Sequence, residues 1–136
     1  MSEPSQEISL CFAAAKNLAK EKLPYFYSGG HPGPGLAHGQ TGYDCSGVVS
    51  DVLHHGGILY SSTALDTAEL LSWGDSGEGQ YMTIWVHDGP ELQHTFIEFK
   101  IPSEPQYKWF MAAHTGTIIG WYQFMSTKGY TARRRK

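Results

Sequence analysis

Cys45 and His94 are the two residues whose types and settings could do chemistry together. Cys45 lies in Thr41-Gly42-Tyr43-Asp44-Cys45-Ser46-Gly47-Val48-Val49, which reads as a glycine-rich loop running into an amphipathic helix with the cysteine in its first turn. Backbone N–H groups at a helix N-terminus are unpaired and carry partial positive charge, so a thiolate there is stabilised and the thiol is expected to ionise more easily. Asp44 is placed to cap that helix, and its carboxylate opposes a neighbouring thiolate, so Cys45 needs a cationic partner. His94 opens the strand-like run His94-Thr95-Phe96-Ile97-Glu98-Phe99 after a Gly-Pro turn. An imidazole on a rigid strand facing a helix N-terminus is what a Cys–His pair requires, with the ring taking the thiol proton and the two charges sustaining each other.

An imidazole used in this way needs a third group to fix its tautomer. Glu98 is four residues along the same strand, about 13 Å away, which is beyond hydrogen-bond reach. His114, at the end of the next expected strand, can lie beside His94 across a sheet and is the preferred third residue. No His-Glu-x-x-His or Cys-x-x-Cys spacing is present, so neither a metal nor any other cofactor is expected. The glycines of residues 28–42 are not followed by Gly-Lys-Ser/Thr, which argues against a phosphate loop.

The elements that must position these residues follow from periodicity. A helix is expected over residues 4–22, with Ile8, Cys11, Phe12, Ala15, Leu18 and Ala19 on one face, making Cys11 a core thiol. A second helix starts at Cys45, buries Val48, Val49, Val52 and Leu53, and ends at Gly56-Gly57. His54 and His55 suit its C-terminal dipole and take no catalytic role. A short helix over 64–72 and a turn-rich stretch from Gly74 to Gly79 come next. Expected strands cover 81–87, 92–100, 108–114 and 117–124. Helices first and then a meander of strands predict an α+β fold, N-terminal helices packed on an antiparallel β-sheet.

With 136 residues the chain is one domain, expected over 1–130 and followed by a basic tail, 131–136. That tail holds four of the ten basic residues and is expected to be solvated and disordered. The net charge of -3 gives no reason to expect nucleic acid as a partner, and two cysteines make no disulfide framework. No apolar run is long enough for a membrane span. Met1-Ser2-Glu3-Pro4 lacks the basic and apolar regions of a secretory signal. The protein is expected either to work where it is made, to be released by some other route, or to be an excised catalytic domain; a monomer is expected.

Pro24-Tyr25-Phe26-Tyr27-Ser28-Gly29-Gly30, then Tyr43-Asp44-Cys45-Ser46-Gly47-Val48-Val49, then a strand opening on His94, together resemble the NlpC-type cell-wall cysteine peptidases, which are papain-like. The resemblance covers about residues 20–121. Leu70-Leu71-Ser72-Trp73-Gly74, followed by Gly77-x-Gly79, is similar to a branch seen in bacterial wall hydrolases and phage lysins. The resemblance implies Cys45 as nucleophile, His94 as general base, and the Tyr25 hydroxyl with the Cys45 N–H as oxyanion donors. Asp44, Ser46 and His31 join Tyr25 as expected oxyanion or substrate contacts, His31 through a groove wall formed by residues 28–42. The family's third polar residue comes some dozen residues after its histidine, whereas His114 comes twenty after His94, with an inserted Pro-containing turn. The implied substrate is the peptidoglycan stem peptide, cut at a γ-D-glutamyl bond to a diamino acid. The implied setting is the bacterial wall, reached by a phage-type lysin freed through a membrane pore or by a virion-borne hydrolase. An amidase or acyltransferase on the same core, and a non-catalytic wall-binding module, are the alternatives.

Overall fold

The computed structural model describes residues 3–25, 43–59 and 64–136. Helix α1 (Gln6–Glu21) begins two residues later than periodicity suggests, because Ser5 caps it by accepting the Ile8 N–H. It ends where Lys22 turns left-handed, at φ 53°. Its inner stripe is Ile8, Cys11, Phe12, Ala15 and Leu18, as expected, with Cys11 wholly enclosed.

Helix α2 (Cys45–His55) is buried along its length from Cys45 to Leu53, beyond the four residues its apolar periodicity singled out. Its N-cap is Asp44, whose side chain accepts the Gly47 N–H at 2.7 Å. A Cβ on Gly56, just past its end, would collide with the Cys11 sulfur, so close approach of α1 demands glycine there. The short α3 (Thr67–Leu70) starts in a capping box between Asp66 and Glu69.

Six strands form one antiparallel sheet: β1 (Asp75–Ser76), β2 (Met82–Asp88), β3 (Gln93–Phe99), β4 (Trp109–Met111), β5 (Gly120–Tyr122) and β6 (Thr131–Arg134). Their spatial order is β1-β6-β2-β3-β4-β5. The meander β2 to β5 matches the sequence pattern, with the last two strands shorter than expected. In β2 and β3, alternate residues face opposite ways, so Ile84, Val86, Ile97 and Phe99 pack with the helices. The other face gathers Trp85, Phe96, Trp109 and Met111 under Tyr122, Met125, Tyr130 and Ala132.

The sequence expectation fails at the C-terminus. Residues 131–134 are not a solvated tail but strand β6, inserted between β1 and β2, with Ile84 opposite Arg133 and Val86 opposite Thr131. The physical reason lies in the partners of its arginines. Arg133 donates from Nε to the Trp73 carbonyl (2.7 Å) and from a terminal nitrogen to that of Gly74 (3.0 Å). Arg135 pairs with Glu7 at 3.1 Å and donates to Ser5 Oγ, fastening the chain's end to the start of α1. Gly74, at φ +64°, runs so close to β6 that a Cβ would strike the Arg134 carbonyl.

Two outcomes follow for this strand. Deleting 131–136 is expected to abolish cooperative thermal unfolding, whereas a disposable tail would leave the melting curve intact. Arg133→Ala, which orphans two partly buried carbonyls, should cost about 1–3 kcal/mol in urea denaturation.

Candidate active site

The local sequence places Cys45 as the first helical residue of α2, behind an extended Asp44 that caps the turn. Its sulfur therefore sits among backbone amides: its own, that of Ser46, and that of Thr95 on β3. Thr95 is held by its own hydroxyl, which donates to the Trp85 carbonyl on β2 at 2.8 Å. The helix head thus meets the sheet at the residue next to His94. Strand alternation turns the His94 ring to the opposite side from the Thr95 side chain, against Phe96 (centroids 6.0 Å) and Tyr130 (6.4 Å). Among the described residues, neither Cys45 nor His94 has the other as a hydrogen-bond partner.

Only 8% of Cys45 and 7% of His94 is exposed. Burial pushes the Cys45 thiol up to about 11, and the Asp44 carboxylate adds to the rise; the three backbone amides pull the other way without prevailing. Burial likewise lowers His94 to about 4, assisted by the charge of His114. Sequence reasoning expected a standing thiolate–imidazolium pair. Both groups instead favour their neutral forms, because desolvation of each charge exceeds what the helix terminus supplies. Cys11 is pushed to about 12 by burial and is an inert core thiol, as expected.

His114 lies three residues beyond β4, in an exposed turn where its backbone N–H reaches Thr117 Oγ1 and its Nδ1 lies 2.9 Å from the Thr115 carbonyl. A carbonyl there requires a proton on Nδ1, which leaves Nε2 of the neutral ring as an acceptor. The β3–β4 register, Ile97 opposite Phe110 and Glu98 opposite Trp109, runs on to Ala113 opposite His94, which leaves His114 one residue further along, in the turn. Glu98 is engaged elsewhere, accepting from Trp85 Nε1 at 3.0 Å with Lys108 at 3.4 Å.

Tyr25 forms a parallel bridge to Tyr43, two residues before Cys45, and its N–H donates to the Thr117 carbonyl. One short backbone segment therefore joins the helix head to the turn that carries His114. The Ser46 hydroxyl donates to Asp44 Oδ1 at 3.4 Å, and Ser46 is buried, so both residues take part in the helix cap. His31 and the rest of the 28–42 loop lie outside the described residues. No group of three His, Cys, Asp or Glu able to hold a metal occurs among the described residues. No helix among them is long and apolar enough to cross a membrane.

Sequence reasoning missed two groups here. The Thr95 amide is invisible because any residue type supplies one. Tyr130 lies next to the basic C-terminal residues and outside every expected strand. Its position just before an alternating Tyr130-Thr131-Ala132 run is the signal that could have found it.

No protein-family model and no curated sequence matches this chain. Solved structures do. The whole chain superposes on an NLP/P60-family lipoprotein-like protein of Staphylococcus aureus with a TM-score of 0.63 and 17% identity, spanning 44% of that chain. The RipD protein of Mycobacterium tuberculosis, described as a non-catalytic NlpC/p60 domain protein adapted to peptidoglycan binding, matches 96% of this chain over 98% of its own, at a TM-score of 0.64 and 16% identity. The P60 domain of an antigen of Mycobacterium avium subspecies paratuberculosis gives 0.64 and 17%, with 94% of each chain covered. The fold is therefore NlpC/P60-type, α+β and papain-like, as the sequence resemblance implies.

His94 also governs stability. Its folded pKa of about 4 lies below the ordinary 6.5, so the fold favours the neutral ring. That stabilisation is complete above pH 6.5 and is lost as pH falls through about 4, a change of about 3 kcal/mol at 1.36 kcal/mol per unit. Urea unfolding at pH 7.5 and pH 4 should show this loss in the wild type and a clearly smaller one in His94→Gln. Equal losses in both would assign the acid sensitivity elsewhere.

Proposed function

We propose that this protein is a cysteine endopeptidase that cuts the peptide stems of bacterial peptidoglycan, with a γ-D-glutamyl bond to a diamino acid as the preferred target. The observation carrying this reading is the meeting of a helix-opening thiol with the strand residue next to His94, through the Thr95 amide. The likeness to RipD, described as adapted to peptidoglycan binding, supports the choice of substrate class.

Because the thiol rests near 11 and the imidazole near 4, the thiolate forms during attack rather than beforehand. His94 accepts the Cys45 proton as the sulfur bonds to the amide carbonyl carbon, and the same proton then passes to the leaving amine. The resulting thioester is hydrolysed by a water that the imidazole deprotonates, returning the thiol. The Cys45 N–H and the Tyr25 hydroxyl stabilise the oxyanion, and His114 is the third residue that orients the His94 ring. The site of action is the bacterial wall, reached by a phage-type or virion-borne route.

A second reading is a non-catalytic peptidoglycan-binding module. The same deep burial and neutral state of Cys45 and His94 favour it, as does the likeness to RipD. Transfer to an amidase or acyltransferase keeps the Cys–His chemistry and differs only in the bond broken or the acceptor.

Turbidity of purified cell walls, read with muropeptide mass spectrometry, separates these. Wild type is expected to clear walls and release new stem-peptide amines, and Cys45→Ala to lose at least about 10³-fold, the scale of losing a nucleophile. An inactive wild type that still sediments with walls would establish the binding module. Cleavage at the glycan–peptide amide, or acyl transfer, would establish the third reading. In an active wild type, kcat/KM should rise as His94 loses its proton through pH about 4 and fall as Cys45 ionises near 11.

A further inference from the structure

Three side chains from three neighbouring strands or their ends form one row on the sheet face away from the helices. His94 on β3 lies directly opposite His87 on β2, and continuing the β2–β6 register past Val86 and Thr131 brings Tyr130 opposite His87. The Tyr130 ring stands edge-on to His87 (centroids 5.4 Å, 68°), to His94 (6.4 Å, 82°) and to Phe96 (5.1 Å, 61°). It reaches this place through a tight turn, Thr127 to Tyr130, closed by the Tyr130 N–H on the Thr127 carbonyl at 3.0 Å. Gly129 supplies the positive φ of 82° that a type II turn asks of its third residue. The His94 imidazole is thereby held between Phe96, two residues along its own strand, and Tyr130, from a segment far away in sequence.

We infer that Tyr130 is a further positioning residue of the candidate site, its ring clamping the His94 imidazole against Phe96 in an apolar setting. The inference rests on the Cys–His reading above for its catalytic consequence, but not for its geometry. Edge-on aromatic pairs at such separations favour one orientation of the ring, and a side chain that excludes water keeps the imidazole neutral and able to accept a proton. The Tyr130 hydroxyl also lies within electrostatic range of the Cys45 sulfur: burial raises the phenol, and the charge of Cys45 raises it further.

The other titratable groups around His94 among the described residues are His87 on β2, His114 beyond β4, and Cys45 with Asp44 at the head of α2. His87 is tethered by Nδ1 to the Leu92 carbonyl at 2.9 Å. The charge of His114 lowers His94, so His114→Ala is the control for a shift that does not pass through Tyr130.

The test titrates His94 by NMR in Cys45→Ala protein, with Tyr130 intact or replaced by Leu or Phe. In that background catalysis plays no part. Tyr130→Leu should move the His94 midpoint up from about 4 by roughly one unit or more toward 6.5, and Tyr130→Phe should restore most of the shift. In active protein, Tyr130→Leu should lower kcat roughly 10- to 100-fold with little change in KM, the scale of a misplaced catalytic group. Tyr130→Phe should recover most of that loss. Nuclear Overhauser contacts between the Tyr130 and His94 rings in the unmutated protein check the clamp should Tyr130→Leu not fold. Absent contacts, an unmoved midpoint, or a moved midpoint with kcat untouched would each overturn the inference. A Cys45→Ala variant that still cleaves walls would instead remove the endopeptidase reading and leave the titration result standing.

Discussion

The Thr95 amide, aimed at the Cys45 sulfur, is where the helical layer and the sheet meet at the site. Its direction is fixed twice over: by the β2–β3 ladder, and by the Thr95 hydroxyl on the Trp85 carbonyl. The helix head is fixed from the other side by the Asp44 cap and by the bridge between Tyr43 and Tyr25. A small rotation of α2 about its axis would move the sulfur off this amide. Close packing resists it, because nine consecutive residues from Cys45 to Leu53 are buried.

That same burial sets the electrostatic character of the site. A helix N-terminus stabilises a negative charge by about 0.3–1 kcal/mol, and up to about 2 in favourable partly buried geometry. The net rise of the Cys45 thiol from 9 to about 11 corresponds to about 3 kcal/mol against the thiolate, after the amides have acted. Desolvation wins, and the Asp44 cap that orients the helix adds to the penalty. The His94 imidazole is likewise favoured in its neutral form. Its low basicity comes from enclosure among Phe96 and Tyr130 and from the neighbouring His114.

The C-terminal strand closes the second face of the sheet. β6 lies between β1 and β2, carries Ala132 into the Trp85–Phe96–Trp109 cluster, and delivers Tyr130 to the histidine row. On the other face Arg133 bonds the carbonyls of Trp73 and Gly74. Arg135 then links the end of the chain to Glu7 and Ser5 at the start of α1.

Local pattern in the sequence determined the helices, the strand meander and the α+β class, because each depends on residues close together in the chain. The α1 stripe with its core thiol, the Asp44 cap and the rejection of Glu98 as a partner of His94 were all legible there, since periodicity and strand rise are local properties. Tertiary structure alone decided the ionisation of Cys45 and His94, because desolvation depends on what other segments cover. It alone also decided that Thr131-Ala132-Arg133-Arg134 is a strand, because the carbonyls that Arg133 bonds, those of Trp73 and Gly74, lie some sixty residues earlier. The Thr95 amide and the Tyr130 ring belong with these, since a backbone donor carries no residue signature and a tyrosine acquires its neighbours only when three strands align.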